Sequence, residues 1–227
     1  VVPPPASITF DVDDTLYLER DYARSGFRAA GAWAERALGL GLLAERAWAA
    51  FEAGVRGRVF DVALRDCGCT PTPALVQQLV EVYRAHVPDI ALLPDAHALL
   101  PRLHPRAALA CVTDGPLRSQ QAKAQALQLA RWLSPLVLTA QWGPGFEKPH
   151  PRAFALVEEA HGVRAESCVY VADNPAKDFV APHARGWRTV RLRRAGGLHA
   201  ARASGADVDH ELPDLEGLPG LLGLQLG

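Results

Sequence analysis

Short apolar runs alternate along this chain with helix-length amphipathic stretches, and that alternation restricts its fold more than any other feature. The runs fall at residues 8–12, 108–112, 136–139, 168–172 and 189–192, and helical patterns occupy 95–103, 117–129, 151–161 and 175–185. Strands alternating with helices of this length imply an α/β fold, a parallel sheet covered by helices on both faces. Pro182 is expected to kink or shorten the last of those helices, and Gly186 follows it where a C-terminal cap would sit.

One interval breaks the rhythm. Residues 18–90 show no strand pattern, only helical patterns at 22–38, 42–53, 58–67 and 73–86, broken at Gly39, Gly41, Gly54, Gly57 and residues 70–73. The expected organisation is a catalytic core of residues 1–17 and 91–227 with an all-helical insert at 18–90. Lys+Arg (24) nearly balances Asp+Glu (25), so nothing argues for nucleic acid or an anionic membrane surface. No apolar stretch reaches membrane-spanning length, and the first residues carry no signal-peptide apolar region. The sparse cysteines (Cys67, Cys69, Cys111, Cys168) read as reduced thiols of a cytoplasmic protein. The sequence contains no methionine, so an initiator or further residues are expected beyond it.

The first run ends in Asp11, Asp13 and Asp14. Crowded carboxylates resist burial and charging unless something positive sits among them. In open parallel sheets, ligands bind beyond the carboxyl ends of the strands. Other runs here lead to Thr113-Asp114-Gly115, to Lys148 and to Asp173, so these groups are expected on one rim. Carboxylates, a hydroxyl and a lysine suit a Mg²⁺ ion that shares phosphate oxygens with a substrate. Asp11 is then the candidate nucleophile, giving an aspartyl-phosphate. Asp13 would protonate the leaving alkoxide and later take a proton from water, and its main-chain carbonyl is a candidate metal ligand. Thr113, with the backbone at Val12, Asp114 and Gly115, would hold phosphate oxygens, and Lys148 would neutralise developing charge. Asp173 would ligate the metal. Asn174 opens the last helix, and Asp178 in its first turn would brace Lys148 or the metal shell.

The ordered segments DVDDT, VTDG, EKPHP and ADNPAKD resemble the four motifs of the haloacid dehalogenase-like (HAD) superfamily, and the segment from Tyr17 onward resembles its helical cap. That resemblance, spanning residues 8–209, implies a Rossmann-like core, Mg²⁺ and phosphomonoester hydrolysis. The sequence departs from the family pattern at Asp114, where many relatives have Asn, and at Ala172, where Gly is more usual. Asp13 argues against a dehalogenase, which has no alkoxide to protonate, and a helical insert without lysine argues against a phosphonatase. A phosphosugar mutase or a non-catalytic, phospho-receiver-like module are the alternatives. A receiver would order its groups as acid pair, Asp, Thr, Lys, whereas the order here is Asp, Thr, Lys, Asp. The expected partner is a small phosphorylated metabolite, a sugar phosphate or a nucleoside monophosphate, and the expected assembly is a monomer or homodimer. Arg20, Arg56 and Arg58 of the insert are candidates for reading a second anionic part of the substrate, against the simpler reading of solvated helix faces.

Overall fold

The computed structural model describes residues 3–225. In chain order the elements are β1 (Ser7–Phe10), α1 (Glu19–Leu38), α2 (Leu43–Glu52), α3 (Val59–Asp66), α4 (Pro73–Ala85), α5 (Pro94–Leu103), β2 (Ala108–Thr113), α6 (Leu117–Ala126) and β3 (Leu136–Leu138). They continue as α7 (Arg152–His161), β4 (Cys168–Ala172), α8 (Val180–Ala184), β5 (Arg188–Leu192), β6 (His210–Leu212) and α9 (Leu218–Leu221). The chain divides into two compact units: one runs up to Glu19 and resumes at Ala91, and the other is Arg20–Ile90.

Every residue of β1 and β4 is buried, the pattern of strands covered on both faces. All pairings are parallel, in the order β3-β2-β1-β4-β5-β6. This is the doubly wound, Rossmann-like order. Because β1 lies between β2 and β4, the carboxyl ends of these three strands are neighbours. Phe154, Tyr170, Phe179 and Trp187 pack together in the core against the sheet. All five expected strands match within two residues at each end; β3 stops one residue short of its expected end at Thr139.

The second unit is all helical. Phe27, Phe51, Phe60 and Tyr83 form its aromatic centre. Gly31 lets α1 approach α2 closely, since a Cβ there would lie 2.6 Å from Ala44 Cβ. Thr72 caps α4 by accepting the Leu75 N–H, with Pro73 at the first helical position.

Two expectations need correction. The helix expected over 175–185 begins only at Val180 and has five residues, with Pro182 inside it. Asp178 therefore lies in the turn before the helix, where its N–H bonds the Asn174 carbonyl at 3.1 Å. Strand β6 has no counterpart in the sequence reading. Arg191, fully buried on β5, secures the segment that leads to it. Its guanidinium donates to the carbonyls of Asp173 (3.1 Å), His199 (2.8 Å) and Arg202 (2.9 Å) and to Ser204 Oγ (2.7 Å). Replacing Arg191 with Leu strands those buried acceptors and is expected to cost roughly 2–4 kcal/mol of stability. Urea denaturation reads this as a lower midpoint at unchanged slope; an unchanged midpoint would show that the segment holds without it.

Candidate active site

Beyond the end of β1 the chain turns at Asp11, whose N–H still bonds Val171 O of β4 at 2.9 Å. The carboxylate of Asp11 receives Lys148 Nζ at 2.6 Å. The same ammonium lies 2.8 Å from Asp178 Oδ1 and donates to Tyr170 Oη at 2.9 Å. The Tyr170 hydroxyl donates to Val112 O at 3.1 Å, and Asp178 Oδ2 accepts the Asn174 N–H at 2.9 Å. Lys148 is 4% exposed, so its charge has essentially no help from water. Burial opposes that charge, yet Asp11 and Asp178 outweigh it and hold the lysine well above its ordinary value.

One lysine does not balance the acids around it. Carboxylate oxygens of Asp11, Asp173 and Asp178 lie within 4.8 Å of one another, all three residues buried. Burial, and then repulsion from Asp178 and Asp13, push Asp11 up to about 7 even though Lys148 pulls it down. Burial, Asp11 and Asp178 push Asp173 up to about 9. Hard oxygen donors crowded around too little positive charge suit a divalent cation such as Mg²⁺, which binds a few carboxylates and keeps waters or phosphate oxygens. The donor set therefore fits a metal.

A second cluster surrounds Asp13. Oδ1 accepts from Lys123 Nζ at 2.6 Å and from the Tyr17 hydroxyl, and Oδ2 accepts from Gln120 Nε2 at 3.2 Å. Burial alone would raise Asp13, but Lys123, Tyr17 and Gln120 together hold it below its ordinary value. A third pair joins Lys177 to Asp114 Oδ2 at 2.6 Å, while Asp114 Oδ1 accepts from Thr139 Oγ1 (2.8 Å) and from the Lys148 N–H (3.1 Å).

Residues 6–184 match the haloacid dehalogenase-like hydrolase family. The chain belongs to that family. It is 33% identical, over 199 residues, to a glyceraldehyde 3-phosphate phosphatase of Methanopyrus kandleri, covering 83% of this chain and 84% of the relative. The HAD hydrolase YfnB of Bacillus subtilis, whose structure is described as bound to magnesium, aligns with a TM-score of 0.71 at 19% identity. That alignment covers 97% of this chain and 100% of YfnB. A HAD phosphatase of Thermococcus onnurineus aligns with a TM-score of 0.63 at 21% identity, over 97% and 99% of the two chains. At such identities the two structures speak for the fold alone.

In this HAD-family core, Asp11, Lys148, Asp173, Asn174 and Asp178 form one connected group. Thr113 and Asp13 are linked to each other through Gln120, whose Oε1 accepts the Thr113 hydroxyl at 3.3 Å. Gly115 has φ +128°, and a Cβ there would meet Gln120 Nε2 at 2.7 Å, so both backbone and space require glycine. The Asp114 carboxylate, standing where many relatives have Asn, is engaged by Lys177, Thr139 and the Lys148 backbone. Arg20 pairs with Glu52 at 2.7 Å, and Arg56 donates to the carbonyls of Phe51 and Val55, both within the helical unit. Arg58 is an exposed residue at the start of α3.

The sequence reading missed Gln120, Lys123, Tyr170 and Lys177, and it set Tyr17 at the entry to the helical insert with no part at Asp13. A usable signal was present: the chain has only three lysines, and each one meets a carboxylate of this rim. Asp14 works on the backbone, accepting the N–H groups of Glu19 (2.8 Å) and Leu198 (2.7 Å).

The raised acids set a pH dependence. Asp11 and Asp173 hold protons in the folded, metal-free chain up to about 7 and about 9, against an ordinary value of 3.8. Folding therefore takes up protons across that window, and their contribution to metal-free stability falls as pH rises through it. A divalent cation displaces those protons. The rise in Tm produced by saturating Mg²⁺ is thus expected to be larger near about pH 8.5 than near about pH 6. Equal rises at both values would contradict a metal site built from these carboxylates.

Proposed function

We propose that this hydrolase is a Mg²⁺-dependent phosphatase that removes the phosphoryl group of a small phosphorylated sugar through an aspartyl-phosphate on Asp11. The observation that carries this reading is the buried Lys148 shared by Asp11 and Asp178, with Asp173 alongside. A carboxylate held by an ammonium stays aimed and dehydrated, which suits a nucleophile attacking phosphorus. Asp11 and Asp173, with the Asp13 carbonyl, would hold the metal, and Asp178 lies close enough to take part. When bound, Mg²⁺ would supply positive charge against the acids and the phosphate oxygens.

The protein groups divide the remaining work. Attack by an Asp11 oxygen forms the new O–P bond as the ester O–P bond breaks. Asp13, held below its ordinary value at rest, must first take up a proton from water; the electron pair of the breaking bond passes to the leaving oxygen, which takes that proton and departs as an alcohol. Water then attacks phosphorus, giving a proton back to Asp13 and freeing Asp11 as inorganic phosphate forms. Thr113 and the backbone N–H groups at Val12, Asp114 and Gly115 would hold the phosphoryl oxygens, and Lys148 would balance their charge.

The named activity of the Methanopyrus kandleri relative favours a sugar phosphate over a nucleotide for this chain. We assign the helical unit to the family's cap role, with Arg58 the freest of the three arginines to meet a substrate. A cytoplasmic location belongs to the same reading and rests on four cysteines that are all free thiols. Among the described residues, no helix is long and apolar enough to cross a membrane.

Phosphate release from a panel of triose, pentose and hexose phosphates tests the proposal. Activity should vanish with EDTA and return with Mg²⁺. Asp11→Asn should abolish turnover, and Asp13→Asn should slow it by roughly 10²–10⁴-fold. Full activity in the metal-free protein, or a near-normal rate in Asp11→Asn, would sink this mechanism.

A further inference from the structure

Helix α6 buries an unusual set of residues: Ser119, Gln120 and Lys123. Gln120 and Lys123 stand at i and i+3, so they share one face of the helix. A lysine that is 4% exposed needs a strong reason to be there. Its reason is Asp13, 2.6 Å away and 110 residues distant in sequence. A buried ion pair is a weak source of stability, because desolvation of both charges offsets most of the attraction. What such a pair does provide is a fixed direction for the carboxylate. Tyr17 fixes the same oxygen from the other side, and Gln120 fixes Oδ2 while donating a second bond to Asp114 O at 2.8 Å.

We propose that Lys123, supported by Tyr17 and Gln120, is a positioning residue that orients the Asp13 carboxylate toward the leaving oxygen of the substrate. This rests on the phosphatase reading above, in which Asp13 donates the proton. The arrangement also explains why one amide contacts three functional segments. Gln120 accepts from Thr113, donates to Asp13 and holds the turn at Asp114, so the proton donor and the phosphate-binding hydroxyl keep a constant separation. Neither Gln120 nor Lys123 has any need to touch substrate for this purpose.

A proton donor matters for an alkoxide leaving group and hardly at all for p-nitrophenolate, which leaves without help. Leaving-group dependence therefore separates positioning of Asp13 from general damage. In Lys123→Met, single-turnover release of the alcohol from the best alkyl phosphate should slow by roughly 10–100-fold, the scale of a misplaced catalytic group, with KM little changed. The same protein should release its single-turnover burst of p-nitrophenolate within about threefold of the unmodified rate, because that first step needs no proton from Asp13. Lys123→Arg should recover part of the lost rate. Tyr17→Phe removes only a hydroxyl; it should show the same selective loss at smaller size, and it decides the matter if Lys123→Met does not fold. Equal losses on both substrates, or no loss on either, would overturn the assignment. Asp13→Asn serves as the reference. If it too slows the first, leaving-group step of both substrates equally, Asp13 is not the proton donor, and the failure lies in the underlying mechanism and not in Lys123 alone.

Discussion

The ammonium of Lys148 lies 2.6 Å from Asp11 and 2.8 Å from Asp178, out of reach of solvent, with the Asp173 carboxylate close to both acids. One positive charge among three buried carboxylates leaves the rim short of cation, and the rest of the site follows from that shortage. Burial and mutual repulsion push Asp11 and Asp173 well above the ordinary carboxylate range. Tyr170 takes a further hydrogen bond of the Lys148 ammonium, and the Asn174 N–H donates to the other oxygen of Asp178.

The sheet makes this crowding possible. With β1 between β2 and β4, three chain segments far apart in sequence deliver Asp11, Thr113 and Asp173 to adjacent strand ends. The scaffolding then extends outward through single polar residues. Arg191 on β5 ties the Asp173 carbonyl to the segment around residues 199–204, and Arg194 ties Thr15 O to Asp95. Each of the three lysines answers a different acid: Lys148 for Asp11, Lys123 for Asp13, Lys177 for Asp114. The site is a set of paired charges with one unbalanced cluster, whose donors could hold a metal ion.

Much of this was legible in the sequence because the informative segments are short and chemically extreme. Residues 168–172 are apolar throughout, and the strand there has the expected bounds; β6, by contrast, is His-Glu-Leu, only one of them apolar, and gives no periodic signal. The last helix was overextended because residues 175–179 look helical in composition, whereas the chain spends them turning Asp178 back toward Asn174. Lys123 and Gln120 were passed over for a different reason. Polar residues on a helix normally face water, and only the tertiary fold shows that this face looks inward onto Asp13. Asp114 was recognised as unusual, but its pairing with Lys177 depends on two strand ends meeting and cannot be read from either segment alone.

In the proposed mechanism Asp11 carries the phosphoryl group between the substrate and water. Rapid acid quench of the Mg²⁺-loaded protein during turnover, followed by mass spectrometry of the peptide containing Asp11, tests this directly. With the reaction run in ¹⁸O-water, a phosphoryl group should be found on Asp11 and the label should enter the released phosphate, leaving the Asp11 carboxylate unlabelled. Turnover without any phosphoryl group on Asp11, or with the label in its carboxylate, would contradict the account.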